Sequence, residues 1–151
     1  MLEAALHNPA LVSAMVAWGI AQGSKAPIEY LRNRRWDWSL YLRAGGMPSS
    51  HTALVVAVAH AIGLTAGFDS APFALAFVVA MIVVYDATGV RRQAGLHAEV
   101  INALLRDLVA GHPLKQAKLI ELLGHSPLEA LAGGVLGLIV AQLVAPWLAV
   151  G

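Results

Sequence analysis

The sequence predicts an all-α fold: a polytopic membrane helical bundle of about four transmembrane spans plus an amphipathic helix, forming one domain over residues 1–151. Three observations predict it. Hydrophobic residues make up 58% of the chain against 13% charged, and the mean hydropathy of +0.68 is far from that of a soluble domain. The apolar residues gather into four stretches, and all ten Lys and Arg fall in two segments between them.

The stretches are Pro9 to Gln22, Pro48 to Gly67, Ala71 to Tyr85 and Pro127 to Val150. A span needs about 20 residues, so the second and fourth are long enough as they stand. The first reaches that length by continuing through Lys25-Ala26-Pro27 to Leu31, and the third by borrowing Phe68 and Ala87. Between the third and fourth, Gly95 to Ala110 sets Leu96, Val100, Leu104, Leu105 and Leu108 against His97, Glu99, Arg106 and Asp107. That spacing is an amphipathic helix, ended by Gly111-His112-Pro113. Met1-Leu2-Glu3 lacks the basic start of a signal peptide, so none is expected.

Charge placement predicts the topology. Lys25, Arg32, Arg34, Arg35 and Arg43 lie between the first two stretches, and Arg91, Arg92, Arg106, Lys115 and Lys118 between the last two. With four spans these segments share a face, which the positive-inside rule assigns to the cytoplasm, and both termini lie opposite. Tyr30, Trp36, Trp38 and Tyr41 are spaced as an interfacial aromatic belt on the charged face. The chain has no cysteine, which excludes disulfides and thiolate metal sites. No Asp-rich box or His-x3-His helix is present, so neither a metal nor another cofactor is expected. The basic residues belong to membrane loops with no recognition motif, so nucleic acid is not an expected partner.

Span parity also brings particular residues to the charged face: Lys25 and Arg32 after the first span, and Ser49, Ser50 and His51 opening the second. Asp86 closes the third, Arg91 and Arg92 follow it, and His125 and Glu129 open the fourth. Gly45-Gly46-Met47-Pro48-Ser49-Ser50-His51-Thr52 is the densest group. Helix N-termini offer unpaired N–H groups to an anion, and histidine transfers protons near neutral pH. Two histidines, several cations and two hydroxyls at two helix starts are the parts that phosphoryl transfer requires.

These residues resemble the type 2 phosphatidic acid phosphatase and vanadium haloperoxidase superfamily, whose motifs are K-x6-R-P, P-S-G-H and S-R-x5-H-x3-D. Lys25 and Arg32 match the first, with Asn33 for proline. Pro48-Ser49-Ser50-His51 matches the second, with Ser50 for glycine, and His125 with Glu129 matches the end of the third, with glutamate for aspartate. Ala117, Lys118 and Leu119 stand where the third motif has its Ser-Arg. Tyr85-Asp86-Ala87-Thr88-Gly89-Val90-Arg91-Arg92 and Glu121-Leu122-Leu123-Gly124-His125 are similar to the divergent branch of that family, which consists of small membrane proteins, and the resemblance runs from about Ala21 to Gly137.

The resemblance implies a phosphoric ester hydrolase acting on a lipid phosphate, isoprenoid or phosphatidate, without a metal. His125 would be the nucleophile, Glu129 the carboxylate that orients it, and His51 the acid for the leaving group. Lys25, Arg32, Ser49 and Ser50 would hold the phosphate, with Arg91 or Arg92 replacing the missing arginine. Arg91-x5-His97 repeats the arginine-to-histidine spacing, so His97 is a rival to His125, although Ile101 stands where an acid is needed. The motif departures leave a second class open, a catalytically silent member that binds lipid headgroups or assembles with partners, homo-oligomers included.

Structural duties compete for several of these residues. Ser126-Pro127-Leu128-Glu129 is a capping box, and Pro48-Ser49 a turn and cap. Asp86 is expected to pair with Arg91 or Arg92 and hold their loop, because an acid at a membrane edge is costly alone. His60 reads as a hydrogen-bonded packing residue, and Gly133, Gly134 and Gly137 as a face for close helix packing.

Overall fold

The computed structural model describes residues 2–41, 45–109 and 125–149, which contain helices and no strand. They are α1 (Leu2–Leu6), α2 (Pro9–Asn33), a 3-10 turn (Trp38–Tyr41), α3 (Ser50–Ala66), α4 (Ala71–Thr88), α5 (Val90–Val109) and α6 (Pro127–Ala149). Each of the four apolar stretches is thus a helix. Arg43, His112, Lys115, Lys118 and the Ala117–Leu119 neighbourhood lie outside the described residues.

Local chemistry explains where the helices start and stop. Asn8 caps α2 by accepting from the N–H groups of Ala10 and Leu11, with Pro9 in the first turn. The helix runs on through Lys25 and Pro27, as the length requirement predicts, until Arg34 turns left-handed at φ 55° and donates its N–H to Tyr30 O at 2.8 Å. Ser70 caps α4, accepting from Phe73 N.

At the far end of α4 the sequence-based reading needs correction. The amphipathic helix begins at Val90, not Gly95, because Gly89 interrupts the chain for one residue only. Asp86 accordingly stands in the last turn of α4, and Arg91 and Arg92 in the first turn of α5, rather than in a loop; the side chains of Arg91 and Arg92 lie outside the described residues.

The core is built from small residues. Ala17 and Ala21 of α2, Ala53 and Ala57 of α3, and Ala141 and Ala145 of α6 are all fully buried against one another. Large apolar side chains point the other way: Leu75, Ile82 and Tyr85 on α4, and Leu131, Leu143 and Trp147 on α6, are exposed. Water does not tolerate such continuous apolar surfaces on a monomer, whereas helices in lipid pack through small residues and turn their large ones to the hydrocarbon. By length and composition, α6 and the α4 segment are each able to cross a membrane, and α3 is a shorter apolar helix.

Two glycines set the approach of α6 to α3. A Cβ on Gly133 would run into the backbone carbonyl oxygen of Ser49, and one on Gly137 would sit 2.5 Å from Ala53 O. α4 packs mainly on α3, and α5 touches α4 alone among the described elements. Tyr30, in the last turns of α2, and Trp36, Trp38 and Tyr41 beyond its end form a chain of ring contacts at 5.5–6.0 Å, and Gln22 Nε2 donates to Leu40 O and Tyr41 O.

Candidate functional site

Three helix ends and the flank of a fourth helix meet at one place. Gly45 and Gly46 reverse the chain with φ of 105° and 79°, a region that disfavours any side chain, and Gly46 lies over the stem of Lys25. The chain then enters α3 at Ser49. Its hydroxyl accepts from Thr52 N at 3.3 Å and from Thr52 Oγ1 at 3.0 Å, so it is the N-cap. The Ser49 N–H donates to Glu129 O at 2.9 Å, tying the start of α3 to the first turn of α6.

Lys25 projects from α2 into this junction and is only 2% exposed. Its Nζ donates to Ser50 Oγ at 3.3 Å. A buried ammonium has three protons to satisfy and a large desolvation cost, so a cation held here favours an anion beside it.

The other half of the site opens α6. His125 is 4% exposed, and its backbone N–H donates to Ala87 O at 3.0 Å, capping the C-terminal end of α4. Its Nδ1 lies 3.2 Å from Glu129 Oε2. The same carboxylate oxygen accepts from Ser126 N at 3.0 Å while Ser126 Oγ accepts from Glu129 N at 3.3 Å, which completes the reciprocal capping box read from the sequence. Glu129 therefore caps the helix and orients the imidazole with one group. With Nδ1–H donated to the carboxylate, the electron pair of the ring resides on Nε2. His51, exposed in the first turn of α3, stands beside it with ring centroids 6.1 Å apart.

Of the residues selected from sequence, the structure brings together Lys25, Ser49, Ser50, His51, His125 and Glu129. Arg32 is not among them: it is exposed two turns beyond Lys25, about 10 Å along the axis. The rival His97 is exposed on α5, which has no contact with α3 or α6 among the described residues. Mid-helix His60 has a specific partner, Gln142 Oε1 at 2.9 Å from its Nε2.

Two contributors escaped sequence reasoning. Ala87 acts through its carbonyl, which leaves no trace in residue type. Gly133 was legible as a packing glycine, but the backbone it packs on is that of Ser49, so close helix packing and site assembly are the same contact.

The chain matches the family described as the divergent PAP2 family over residues 6–140. It is 42% identical over 151 residues to YuiD of Bacillus subtilis (strain 168), a protein named as an uncharacterized membrane protein, with 93% of this chain and 96% of that protein covered. No solved structure matches it.

Proposed function

The chain belongs to the divergent PAP2 family, and from that premise we propose that it is an integral membrane phosphatase that hydrolyses a lipid phosphate ester through a phosphohistidine on His125. The observation that carries this reading is the pairing of His125, fixed by Glu129 at 3.2 Å, with His51 across a 6.1 Å centroid separation. A nucleophile in near-attack position stands about 3–3.5 Å from phosphorus, and a general acid within about 3 Å of the leaving oxygen, so two neighbouring rings on one edge of the site can serve these roles on a phosphoryl group that borders both.

In the first step Nε2 of His125 bonds to phosphorus as the ester P–O bond breaks, and His51 gives its proton to the departing alkoxide. Water then attacks the phosphohistidine, His51 takes the water's proton, and inorganic phosphate leaves. Lys25 and Ser50, with the positive N-terminal ends of α3 and α6, neutralise the charge on the phosphoryl oxygens. Ser49 serves by capping α3 rather than by meeting the phosphate. Arg91 or Arg92 supplies the further cation from the start of α5.

The small-residue core with outward large apolar side chains supports an integral position with four spans, α2, α3, α4 and α6. The basic segments and the site then face the cytoplasm, and the termini the other side.

One observation favours a second reading. Ser50, where catalytic relatives carry glycine, already engages the Lys25 ammonium. A catalytically silent protein that holds phosphate headgroups would be built this way.

Phosphate release by the purified protein from prenyl phosphates and phosphatidate, in the presence of EDTA, separates the two. Release that falls by about 10²-fold or more in His125→Ala and His51→Ala supports catalysis. No release from wild type, or equal release from both variants, leaves the headgroup-binding reading.

A further inference from the structure

The outward surface of α6 suits hydrocarbon except at one residue. Gln142 is exposed there, about 10 Å from the Ala149 end of the helix and about 22 Å from the Pro127 end, which places it inside a hydrocarbon layer of about 30 Å. Trp147, exposed about 7.5 Å further on, suits the interface beyond that layer. The amide does not swing out to it, because Gln142 Oε1 accepts from His60 Nε2 at 2.9 Å and is held against α3. That bond leaves both N–H groups of Gln142 Nε2 without a partner among the described residues. Lipid tails offer no acceptor, so an amide donor left among them is costly and calls for a polar partner from outside the bundle.

The residues that accompany Gln142 form a pattern that another helix fits. Leu128, Leu131, Val135, Leu138 and Gln142 are all exposed, and they follow one another at alternating steps of 3 and 4 residues. This is the a/d seam of a left-handed helix pair, about 21 Å long, with glutamine at an a position. In a parallel pair an a position meets its own equivalent, and a polar residue there fixes the register. Copies of one chain share one membrane orientation, so a two-fold axis along the membrane normal sets their α6 helices parallel. Glutamine is self-complementary about such an axis: each amide N–H donates to the second lone pair of the other Oε1.

We infer that the outer seam of α6 is the interface of a symmetric dimer, in which a second copy of this chain packs seam on seam and Gln142 bonds to Gln142 of the partner subunit. Hydrogen-bond complementarity decides the occupant. The unspent donors need an acceptor at their own depth in the membrane, and the same helix of a second copy brings one on a matching seam. Leucine gains nothing over lipid, so the amides supply the attraction and the seam supplies the fit. The inference rests on the four-span placement proposed above and not on the chemistry at His125.

The chain has no cysteine, so each single-cysteine variant reports one position. The purified full-length protein is reconstituted in phosphatidylcholine vesicles and oxidised, and disulfide-linked dimers are read by non-reducing electrophoresis. Val135→Cys and Leu138→Cys, on the seam, are expected to give dimers roughly tenfold above Leu143→Cys, on a different stripe of α6, and Leu75→Cys, on the exposed face of α4. Adding Gln142→Leu to Leu138→Cys is expected to lower its dimer yield roughly tenfold. Equal yields at all four cysteines, indifference to Gln142→Leu, or seam cysteines that link in native membranes to a protein other than this chain overturns the inference. Reaction of Leu143→Cys with a water-soluble maleimide in intact vesicles overturns the span placement of α6 and the inference with it, whereas a protected Leu143→Cys without seam dimers overturns the inference alone. Seam dimers of a protein that releases no phosphate uphold the interface and overturn only the catalytic reading.

Discussion

Gly133→Ala places a methyl group against the Ser49 carbonyl oxygen, with Ser49 C at 3.1 Å and Ser49 Cβ at 3.2 Å. A backbone has no rotamer to yield, so α6 must move away from α3. Overpacking of this kind costs about 1–3 kcal/mol, and an immovable partner argues for the upper end. Alanine recovers about 1 kcal/mol of helix propensity, so a net loss of about 2 kcal/mol is expected. At roughly 2–4 °C per kcal/mol for a chain of this size, thermal unfolding in detergent should fall by roughly 4–8 °C. The adjacent Gly134→Ala is the matched control: its methyl meets only Thr52 Cγ2 at 3.7 Å and Val56 Cγ2 at 4.0 Å, both ordinary contacts. That variant should unfold at or above the wild-type temperature. The displacement also strains the Ser49 N–H bond to Glu129 O and the His51–His125 separation, so any phosphate release should drop by about 10²-fold in Gly133→Ala. Equal stability of the two variants would refute the claim that Gly133 fixes the α3–α6 junction.

Three further outcomes follow from the same geometry. Glu129→Gln keeps the capping box, since glutamine serves at that position, but removes the carboxylate from His125 Nδ1; unfolding should stay within about 1 kcal/mol of wild type while phosphate release drops roughly 10²–10⁴-fold, and full activity would show that the carboxylate only caps. Ser49→Ala removes the α3 cap and should cost about 0.5–2 kcal/mol in thermal unfolding, whereas wild-type stability would mean that the hydroxyl is not committed to Thr52. A double-mutant cycle between His60→Phe and Gln142→Leu should give a coupling of about 0.6 kcal/mol and no more than about 1.7, with zero coupling ruling out the mid-helix hydrogen bond as a stabilising contact.

Residue type and period were enough for the helices and for six of the residues that the structure brings together at the candidate site, Lys25, Ser49, Ser50, His51, His125 and Glu129. Four apolar runs become helices, because an apolar run of this length has no other way to satisfy its backbone in lipid. Span parity alone put Lys25, Ser50, His51 and His125 on one face, and capping chemistry at Ser49 and at Ser126 with Glu129 is local enough to read from four residues. Parity gives a shared face and nothing finer. It did not separate Lys25, 2% exposed in the junction, from Arg32 two turns away in the open, nor His125 from His97, because distance between helices is set by side chains that are far apart in the chain.

The loop from Gly45 to Thr52 shows where the division falls. Its composition by itself determined a turn, a helix cap and a histidine at the mouth of an apolar helix, since each depends on φ preferences and hydrogen bonds within a few residues. Only the tertiary structure decided that the Ser49 N–H bonds to Glu129 O, that Ser50 reaches a lysine twenty-five residues earlier, and that His51 faces a histidine of α6. The contacts of Ser49 and His51 with α6 follow from the crossing of α3 and α6 at Gly133 and Gly137, where the absence of two Cβ atoms lets one helix rest on the other's backbone. A sequence shows the missing side chains but not the surface that will fill their place.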